Sequence, residues 1–259
     1  MAQIFGEPGR NAAEESYKRT RRFLLVAFVG IAALSAIWGF ALGTVFHAVH
    51  LTVELALLLT ALLGVFAFSV YRWVSTKMDA VDRERMSWRR GALGELLTTE
   101  ILKSLPDSYV VISDVTKKLG NIDQVVVGPT GVYVIDVKNW KGTVKADGKG
   151  EVLLNGKPPD KAAIKNMLGA VMDFQNKLKA LTENDYFVRG LLVFPSAYVE
   201  ADFGSTRHIH CLRDDRRVDY IQNKTFTQSM SSDDIERVTT GTLQFAGMDK
   251  RFANIKITL

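Results

Sequence analysis

The sequence predicts an α/β domain, a mixed sheet flanked by helices, preceded by two transmembrane α-helices. Two long apolar runs near the start predict the membrane spans. Beyond them, the segments follow the order helix, strands, helix, strand, strand, helix, which is typical of a mixed sheet covered by helices. We therefore expect a tail at residues 1–22, a transmembrane hairpin at 23–74, a linker at 75–90 and a folded domain at 91–259.

The two apolar runs are long enough to cross a bilayer. Residues 23–46 carry no charge, and residues 51–71 carry only Glu54. At about 1.5 Å per residue, roughly 22 helical residues span an apolar core of about 30 Å. Because the join at residues 47–50 is short, the spans should form an antiparallel hairpin. A cleaved signal peptide is the competing interpretation of the first run, but that run is long and a second follows at once.

Basic residues flank the hairpin at both outer ends, whereas the join contains no Lys or Arg. This asymmetry predicts that the N-terminus and the large C-terminal domain both lie on the cytoplasmic side of the inner membrane, in a multi-pass protein. The basic residues before the first run and after the second are Lys18, Arg19, Arg21, Arg22, Arg72, Lys77, Arg83, Arg85, Arg89 and Arg90.

Composition excludes some classes of site. The formal net charge is +5, of which residues 1–77 carry +3 and the remainder +2, so the C-terminal part is not strongly basic. Nucleic-acid binding would therefore depend on a local patch. Cys211 is the single cysteine, which excludes an intramolecular disulfide and a Cys-rich zinc site.

Hydrophobic periodicity predicts the elements of the domain. A helix over "GALGELLTTEILKSLP" would place Leu93, Leu97, Ile101 and Leu105 on its apolar stripe and end before Pro106. "YVVISDV" predicts a strand, and "NIDQVVVGPTGVYVIDVKN" predicts two strands around a "GPTG" turn. The later segments are a hairpin region "GTVKADGKGEVLLNGKP", a helix "KAAIKNMLGAVMDFQNKLKALT", strands "FVRGLLVFP" and "RHIHCL", and a capped helix "SSDDIERVTTGTLQF".

The "GPTG" hairpin brings two carboxylates together. A four-residue loop at 128–131 would pair Val127 with Val132 and Asp123 with Asp136. Directly opposed side chains have Cβ atoms about 4.5–5.5 Å apart, so the two acids would repel unless one is neutralised or both share a cation. Oxygen ligands suit Mg²⁺ or Mn²⁺.

Two further residues belong to this hypothesis, which has a plainer alternative. Lys138 would lie on the same strand face as Asp136, where it could polarise water or stabilise charge on a phosphate. A third acid would be Glu95 or Glu100, and periodicity alone does not choose between them. The alternative is that Asp136 and Lys138 form a surface ion pair, or that a bulge shifts the register of Asp123.

The run from "GALGELLTTEILKSLP" through "YVVISDV" to "GNIDQVVVGPTGVYVIDVKNWKGTV" resembles the nuclease-related domain (NERD) family. The motifs are a Gly-x-x-Gly-Glu opening, an "ID-x-VVVGP-x-GV" strand pair and a "(D/E)-V-K-N" strand end, present here in that order. This family is grouped with restriction-endonuclease-like PD-(D/E)xK folds, and nuclease activity is inferred for it. The resemblance covers residues 91–144 and extends more weakly through "FVRGLLVFP".

The resemblance implies roles at the matching positions. It makes Glu95 the helix acid in preference to Glu100, Asp123 and Asp136 the strand acids, and Lys138 the catalytic lysine. It also implies that the Val137 carbonyl faces the metal.

One departure concerns the next helix. The family commonly carries an Asn-Pro-x-x-Gln pattern there, whereas "KNMLGAV" has Asn166 but neither Pro nor Gln. Gln175 lies later in the same helix, with no role assigned.

The function implied is a membrane-anchored nuclease that hydrolyses phosphodiester bonds with Mg²⁺ or Mn²⁺, acting on nucleic acid, DNA in preference to RNA. A non-catalytic, membrane-tethered nucleic-acid- or protein-binding module is the alternative, and hydrolysis of another phosphate ester is a third. Two-fold assembly would suit a hairpin-anchored enzyme. His208 and His210 share a strand face, where packing is more common than metal binding. Exposed lysines after the site are candidates for phosphate contacts or simply a solvated face: Lys141, Lys145, Lys149, Lys157, Lys161 and Lys165.

Overall fold

The computed structural model describes residues 1–48, 53–116, 121–200, 203–204, 207–223 and 229–247. The chain divides into two compact units. The larger unit combines Met1–Ala12 with Arg90–Leu259, and the helical unit is Ala13–Arg89. Within the described residues the α-helices are α1 (Arg10–Ala48), α2 (Val53–Leu102), α3 (Ala163–Thr182), α4 (Arg217–Asn223) and α5 (Ser232–Phe245).

Two β-sheets lie in the larger unit. The described strands are β1 (Gln3–Phe5), β2 (Val110–Thr116), β3 (Asn121–Gly128), β4 (Gly131–Val137), β5 (Gly142–Ala146), β6 (Val152–Leu154), β7 (Val188–Phe194), β8 (Ala197–Val199), β9 (Phe203–Gly204) and β10 (Ile209–Arg213). The main sheet has the order β1-β2-β3-β4-β7-β10-β9, and a small sheet has the order β6-β5-β8.

The main sheet is mixed, as the sequence predicts. The pairs β2–β3 and β3–β4 are antiparallel, whereas β4–β7, β7–β10 and β1–β2 are parallel. Helices α3 and α5 pack on one face, with Met167, Val171 and Val238 in that core. The end of α2 and α4 contribute Leu102 and Ile221 to the core on the other face.

The register of the β3–β4 hairpin is as predicted, but its loop is shorter. Val127 pairs with Val132 and Val125 with Val134. Gly128 and Gly131 also pair, so the loop is Pro129–Thr130 and not the four residues 128–131. A Cβ at Gly128 would lie 2.1 Å from the Tyr109 ring, which explains why this strand end requires glycine.

The N-terminal residues are part of the larger unit, in contrast to the predicted tail at 1–22. Gln3–Phe5 form β1 at the edge of the main sheet, parallel to β2, and the Phe5 side chain is buried in the core. Helix α1 begins at Arg10. The predicted linker at residues 75–90 is helical and continuous with the rest of α2.

The helical unit supports one of the two predicted spans. Among the described residues, Thr20–Phe40 is the stretch long and apolar enough to cross a membrane, with a mean hydropathy of 2.3. Its length, composition and position near the N-terminus fit a membrane anchor or a signal sequence. The second predicted span, residues 51–71, falls largely in α2, but the described residues support one membrane-spanning helix and not two; residues 49–52, in the predicted join, lie outside the described residues. Trp38 of α1 and Phe66 of α2 contact each other with ring centroids 5.8 Å apart.

Candidate active site at the ends of β3 and β4

The ladder between β3 and β4 ends beside Asp123. Gln124 and Ile135 form the last pair, and beyond it the Val137 N–H donates to Asp123 Oδ2 over 2.7 Å. On its other side β4 stays in the sheet, because Asp136 is paired with Leu192 of β7. The Asp123 carboxylate therefore serves as the acceptor for the Val137 N–H at the end of β4.

Lys138 lies directly against Asp136. Its Nζ donates to Asp136 Oδ1 over 2.7 Å, and both side chains are partly exposed, at 31 % and 25 %. The Lys138 N–H donates to the Val193 carbonyl over 2.8 Å, which continues the alignment of β4 with β7. The backbone thus fixes the lysine at the strand end, and its side chain remains partly exposed.

Glu95 reaches this region from α2. Its side chain is 9 % exposed, and its Oε2 accepts a 2.8 Å hydrogen bond from the Gly9 N–H. A Cβ at Gly94 would lie 2.9 Å from Asn139 Cβ and 3.2 Å from Val137 Cγ1. The absence of a side chain at Gly94 therefore lets α2 approach the end of β4 closely, which brings Glu95 to the strand end.

A hydrogen bond from β3 also holds this part of α2. Gln124 Nε2 donates to the Glu95 carbonyl over 3.1 Å and to Thr99 Oγ1 over 2.6 Å. The backbone carbonyl of Glu95 is thus hydrogen-bonded to a side chain of β3.

Each of four side chains shifts the pKa of at least one of the others, and we call them the acid–lysine cluster: Glu95, Asp123, Asp136 and Lys138. Burial raises the pKa of Glu95 to about 7; the Gly9 N–H opposes this rise, while the Asp114 and Asp136 charges add to it. Burial also raises the pKa of Asp123 well above its usual value, and the charges of Asp136 and Glu95 act in the same direction. For Lys138, burial lowers the pKa, but the carboxylates of Asp136, Asp123 and Glu95 together outweigh it and the net shift is upward.

Each carboxylate of the cluster has one oxygen bound by the protein. Glu95 Oε2 is bound by Gly9, Asp123 Oδ2 by Val137 and Asp136 Oδ1 by Lys138. Within the described residues, the second oxygen of each accepts no hydrogen bond. When all three acids are ionised, three carboxylates and one ammonium leave an excess of negative charge, which an oxygen-binding dication would neutralise.

The donor chemistry fits Mg²⁺ or Mn²⁺, although the ligands are not arranged as a ready-made cage. No group of three or more His, Cys, Asp or Glu side chains in the described part of the chain is positioned to hold a metal ion. Binding of a dication would therefore need the free oxygens to move toward a common point.

A comparison with known families matches the part of the chain that contains this site. Residues 90–195 match the nuclease-related domain (NERD) family. This chain carries a nuclease-related domain. The match includes every member of the acid–lysine cluster, but not residues 1–12 or the chain after residue 195. The searches of curated proteins and of solved structures each found no match.

Other predicted residues lie outside the cluster of the nuclease-related domain. Glu100, the rival acid, is exposed and pairs with Lys103. Gln175 Nε2 donates to Asp185 Oδ1 over 3.3 Å. His208 stacks on Phe187 and His210 on Tyr220, each with ring centroids 4.7 Å apart.

Two participants were absent from the sequence-based prediction. Gly9 comes from a segment predicted as a tail, and no pattern connects it to Glu95. Asp114 of β2 is buried, and its charge raises the pKa of Glu95. It has a φ of 59° and stands between the paired residues Ser113 and Val115, at the level of Asp123 on β3. Its one signal in the sequence is an acid within an apolar strand.

Proposed function

We propose that the nuclease-related domain hydrolyses phosphodiester bonds of nucleic acid, DNA in preference to RNA, with the help of Mg²⁺ or Mn²⁺. The observation that carries this proposal is the acid–lysine cluster, in which three carboxylates each keep one oxygen free beside a partly exposed lysine. The ligands would be the free oxygens of Glu95, Asp123 and Asp136, with the Val137 carbonyl. When bound, the dication would lower the pKa of its water and neutralise charge on the scissile phosphate.

The protein's own groups have separate roles in this mechanism. Asp136 holds the Lys138 ammonium at 2.7 Å, so that the lysine orients the attacking water or donates to a non-bridging phosphate oxygen as negative charge develops there. The raised pKa of Lys138 keeps it protonated for this role. The N–H groups of Gly9 and Val137 fix the directions of two carboxylates, which leaves less reorganisation for substrate binding.

The test is cleavage of labelled DNA and RNA by the full chain in detergent, with Mg²⁺, Mn²⁺ or chelator. Asp136→Ala and Lys138→Ala should abolish cleavage and leave the melting curve of the domain intact. Glu100→Ala and Lys103→Ala are matched controls, because this acid and lysine form an exposed pair on α2 away from the cluster. Wild-type rates in Asp136→Ala would exclude the mechanism.

A second candidate is a non-catalytic module that binds nucleic acid or protein. The observation that favours it is that the described residues hold no preformed metal-binding group. Binding without cleavage under any metal condition would support this reading over the nuclease.

We further propose that the chain is anchored in the inner membrane with the nuclease-related domain on the cytoplasmic side. The apolar stretch Thr20–Phe40 supports an anchor, and Lys18, Arg72 and Lys77 lie on the outer flanks of the predicted hairpin. Protease treatment of intact spheroplasts and of inverted vesicles should digest the domain only in the vesicles.

A further inference from the structure

The small sheet follows the C-terminal ends of β4 and β7, and the acid–lysine cluster lies at the end of β4. β5 begins at Gly142, four residues after Lys138, and β8 begins at Ala197, three residues after β7 ends. β4 and β7 are parallel neighbours in the main sheet, as β5 and β8 are in the small sheet. A chain advances at most about 3.6 Å per residue, so the Cα of Lys141 lies within about 11 Å of that of Lys138. The small sheet therefore borders the candidate active site.

One face of the small sheet packs on the core and the other is open. Val144, Val152 and Val199 are fully buried. Side chains alternate along a strand, so the neighbours of these valines point the opposite way. The register pairs Thr143 with Tyr198 and Lys145 with Leu153.

This outer face carries an unusual aromatic residue. Tyr198 is 62 % exposed. Among the described residues of the larger unit, no other aromatic residue is exposed. The other aromatic side chain next to this region, Trp140, packs on Phe194 with ring centroids 5.5 Å apart. A large ring exposed to solvent on the face of a sheet is available to stack on a planar ligand.

Lys141 and Lys145 bring two positive charges to the region of Tyr198, against the one negative charge of the exposed Glu200. Lys141 and Lys145 are exposed, and neither has an ion pair within the described residues. Asp147 keeps its negative charge, but its carboxylate is held by the backbone, because it accepts from the Lys149 and Glu151 N–H groups. The Glu151 carboxylate in turn accepts from the first N–H groups of α3. Glu200, exposed just after β8, is the acid closest to this face in sequence.

We propose that this outer face is a platform for single-stranded nucleic acid, formed by Thr143, Lys145, Leu153 and Tyr198, with Lys141 in the segment that leads from the cluster to β5. A base stacks on the Tyr198 ring, and the backbone phosphates contact Lys141 and Lys145. Sheet surfaces that bind single strands combine an exposed aromatic ring with basic side chains in this way. A duplex hides its base faces and cannot use the ring in this way. The proposal rests on the proposed nuclease function in one respect: it assumes that the bound nucleic acid runs from the platform to the acid–lysine cluster. It deepens that function by naming the substrate as single-stranded.

Binding can be measured separately from cleavage. The full chain with Asp136→Ala, in phosphatidylcholine nanodiscs with chelator, is titrated into fluorescent single-stranded and duplex oligonucleotides of the same sequence. Tyr198→Ala should weaken single-strand binding about 5- to 100-fold, and Tyr198→Phe should retain it, because a phenyl ring still stacks. Lys145→Ala should reduce the slope of log K against log salt by about 0.7.

Two variants complete the comparison. Glu200→Gln should tighten binding, since it removes a negative charge beside the platform. Lys177→Ala should change nothing, because Lys177 lies on α3 and pairs with Asp173.

The outcomes separate this proposal from the nuclease proposal. If Tyr198→Ala binds single strands as well as its parent, or loses duplex binding equally, the platform is excluded even where cleavage is observed. If the Tyr198 effect appears but no metal supports cleavage by the wild-type chain, the platform stands and the nuclease proposal fails. Protection of Lys145 from acetylation by phosphatidylserine nanodiscs, but not by oligonucleotide, would assign the face to lipid and overturn the proposal.

Discussion

At the scale of single residues, the acid–lysine cluster is held by hydrogen bonds in which one oxygen of each carboxylate is the acceptor. Gly9 binds one Glu95 oxygen and Val137 binds one Asp123 oxygen. This division fixes the side chains and leaves negative charge uncompensated. Removing a charge and removing an acceptor therefore have opposite consequences at these positions, which allows the two effects to be measured apart.

The pH dependence of stability should report the buried acid Glu95. Burial raises its pKa from 4.5 to about 7. A carboxyl with a raised folded-state pKa contributes stability that is present below its unfolded pKa and is lost as pH rises through its folded pKa. In chelator, the free energy of unfolding should therefore fall by an amount on the order of 1–3 kcal/mol between about pH 5 and pH 8. The melting temperature should fall over the same pH range.

Glu95→Gln should flatten this decline when thermal unfolding is followed across the pH series. The flattening should be partial, because the pKa of Asp123 is raised as well and acts with the same sign. Glu100→Gln is the control, since Glu100 is exposed on the same helix. An unchanged slope in Glu95→Gln would show that this carboxyl is not perturbed in the folded protein.

Asp123 separates charge from hydrogen bonding. Asp123→Asn keeps an oxygen that can accept from the Val137 N–H and removes a charge next to Asp136, so it should raise the melting temperature in chelator at about pH 8. Asp123→Ala also removes the acceptor, and an unsatisfied buried N–H costs about 1–3 kcal/mol. Differential scanning calorimetry of both variants would decide, and an Asn variant that melts at or below the wild type contradicts the repulsion.

At the scale of elements, the β3–β4 hairpin was the most predictable part of the site. Period-two alternation and a Gly-bounded turn define its register, and the pairing of Val125 with Val134 is confirmed. The loop length was wrong, because Gly128 and Gly131 pair instead of turning. The strand β1 could not be predicted: it has three residues, and its partner β2 lies more than a hundred residues later in the chain.

The last part of α2 shows a limit of hydrophobic periodicity. The helix forms as predicted, but its predicted stripe is largely in solvent, with Leu93, Leu97 and Ile101 at 53 %, 45 % and 38 % exposure. The opposite side of the helix is buried, because Gly94 has no side chain and lets the helix pack closely against the end of β4. Polar side chains on this side, such as Thr99, are hydrogen-bonded. The buried residues on that side are Gly94, Glu95, Thr98, Thr99 and Leu102.

The two glycines of the Gly-x-x-Gly-Glu motif should respond oppositely to alanine. A Cβ at Gly94 would press on Asn139 and Val137, so Gly94→Ala should push α2 from β4, destabilise the domain and reduce cleavage. A Cβ at Gly91 meets nothing within 4 Å, so Gly91→Ala should stabilise the helix by about 1 kcal/mol. Melting temperatures and cleavage rates of both variants provide the measurement; stabilisation by Gly94→Ala would contradict the packing.

At the scale of the whole molecule, the larger unit, which holds the acid–lysine cluster, is discontinuous in sequence. The chain begins in it, leaves for the helical unit at residue 13 and returns at residue 90. The family match begins at residue 90 and so does not include the N-terminal segment that forms β1 and binds Glu95. A fragment chosen from the family boundaries alone would lack an edge strand and one hydrogen bond to the site.

This organisation predicts that residues 1–12 can be restored by a direct link. A Cβ at Gly9 would lie 2.9 Å from Ala92 Cβ, so a short Gly/Ser linker can replace residues 13–89. The fusion of residues 1–12 to 90–259 should melt at a higher temperature than residues 90–259 alone, because β1 pairs with β2 and Phe5 fills the core. It should also cleave faster, because the Gly9 N–H opposes the rise in the pKa of Glu95 and fixes its carboxylate.

The matched control is the same fusion with residues 1–12 in scrambled order, which keeps length and composition but loses β1 and Gly9 at its position. Thermal unfolding and cleavage of the three proteins, in the same buffer with and without Mg²⁺, give the comparison. A fragment of residues 90–259 that melts and cleaves like the fusion would show that the N-terminal strand is not needed for the folding or the activity of the larger unit. A scrambled fusion as stable as the native one would lead to the same conclusion, since only the ordered segment can pair with β2.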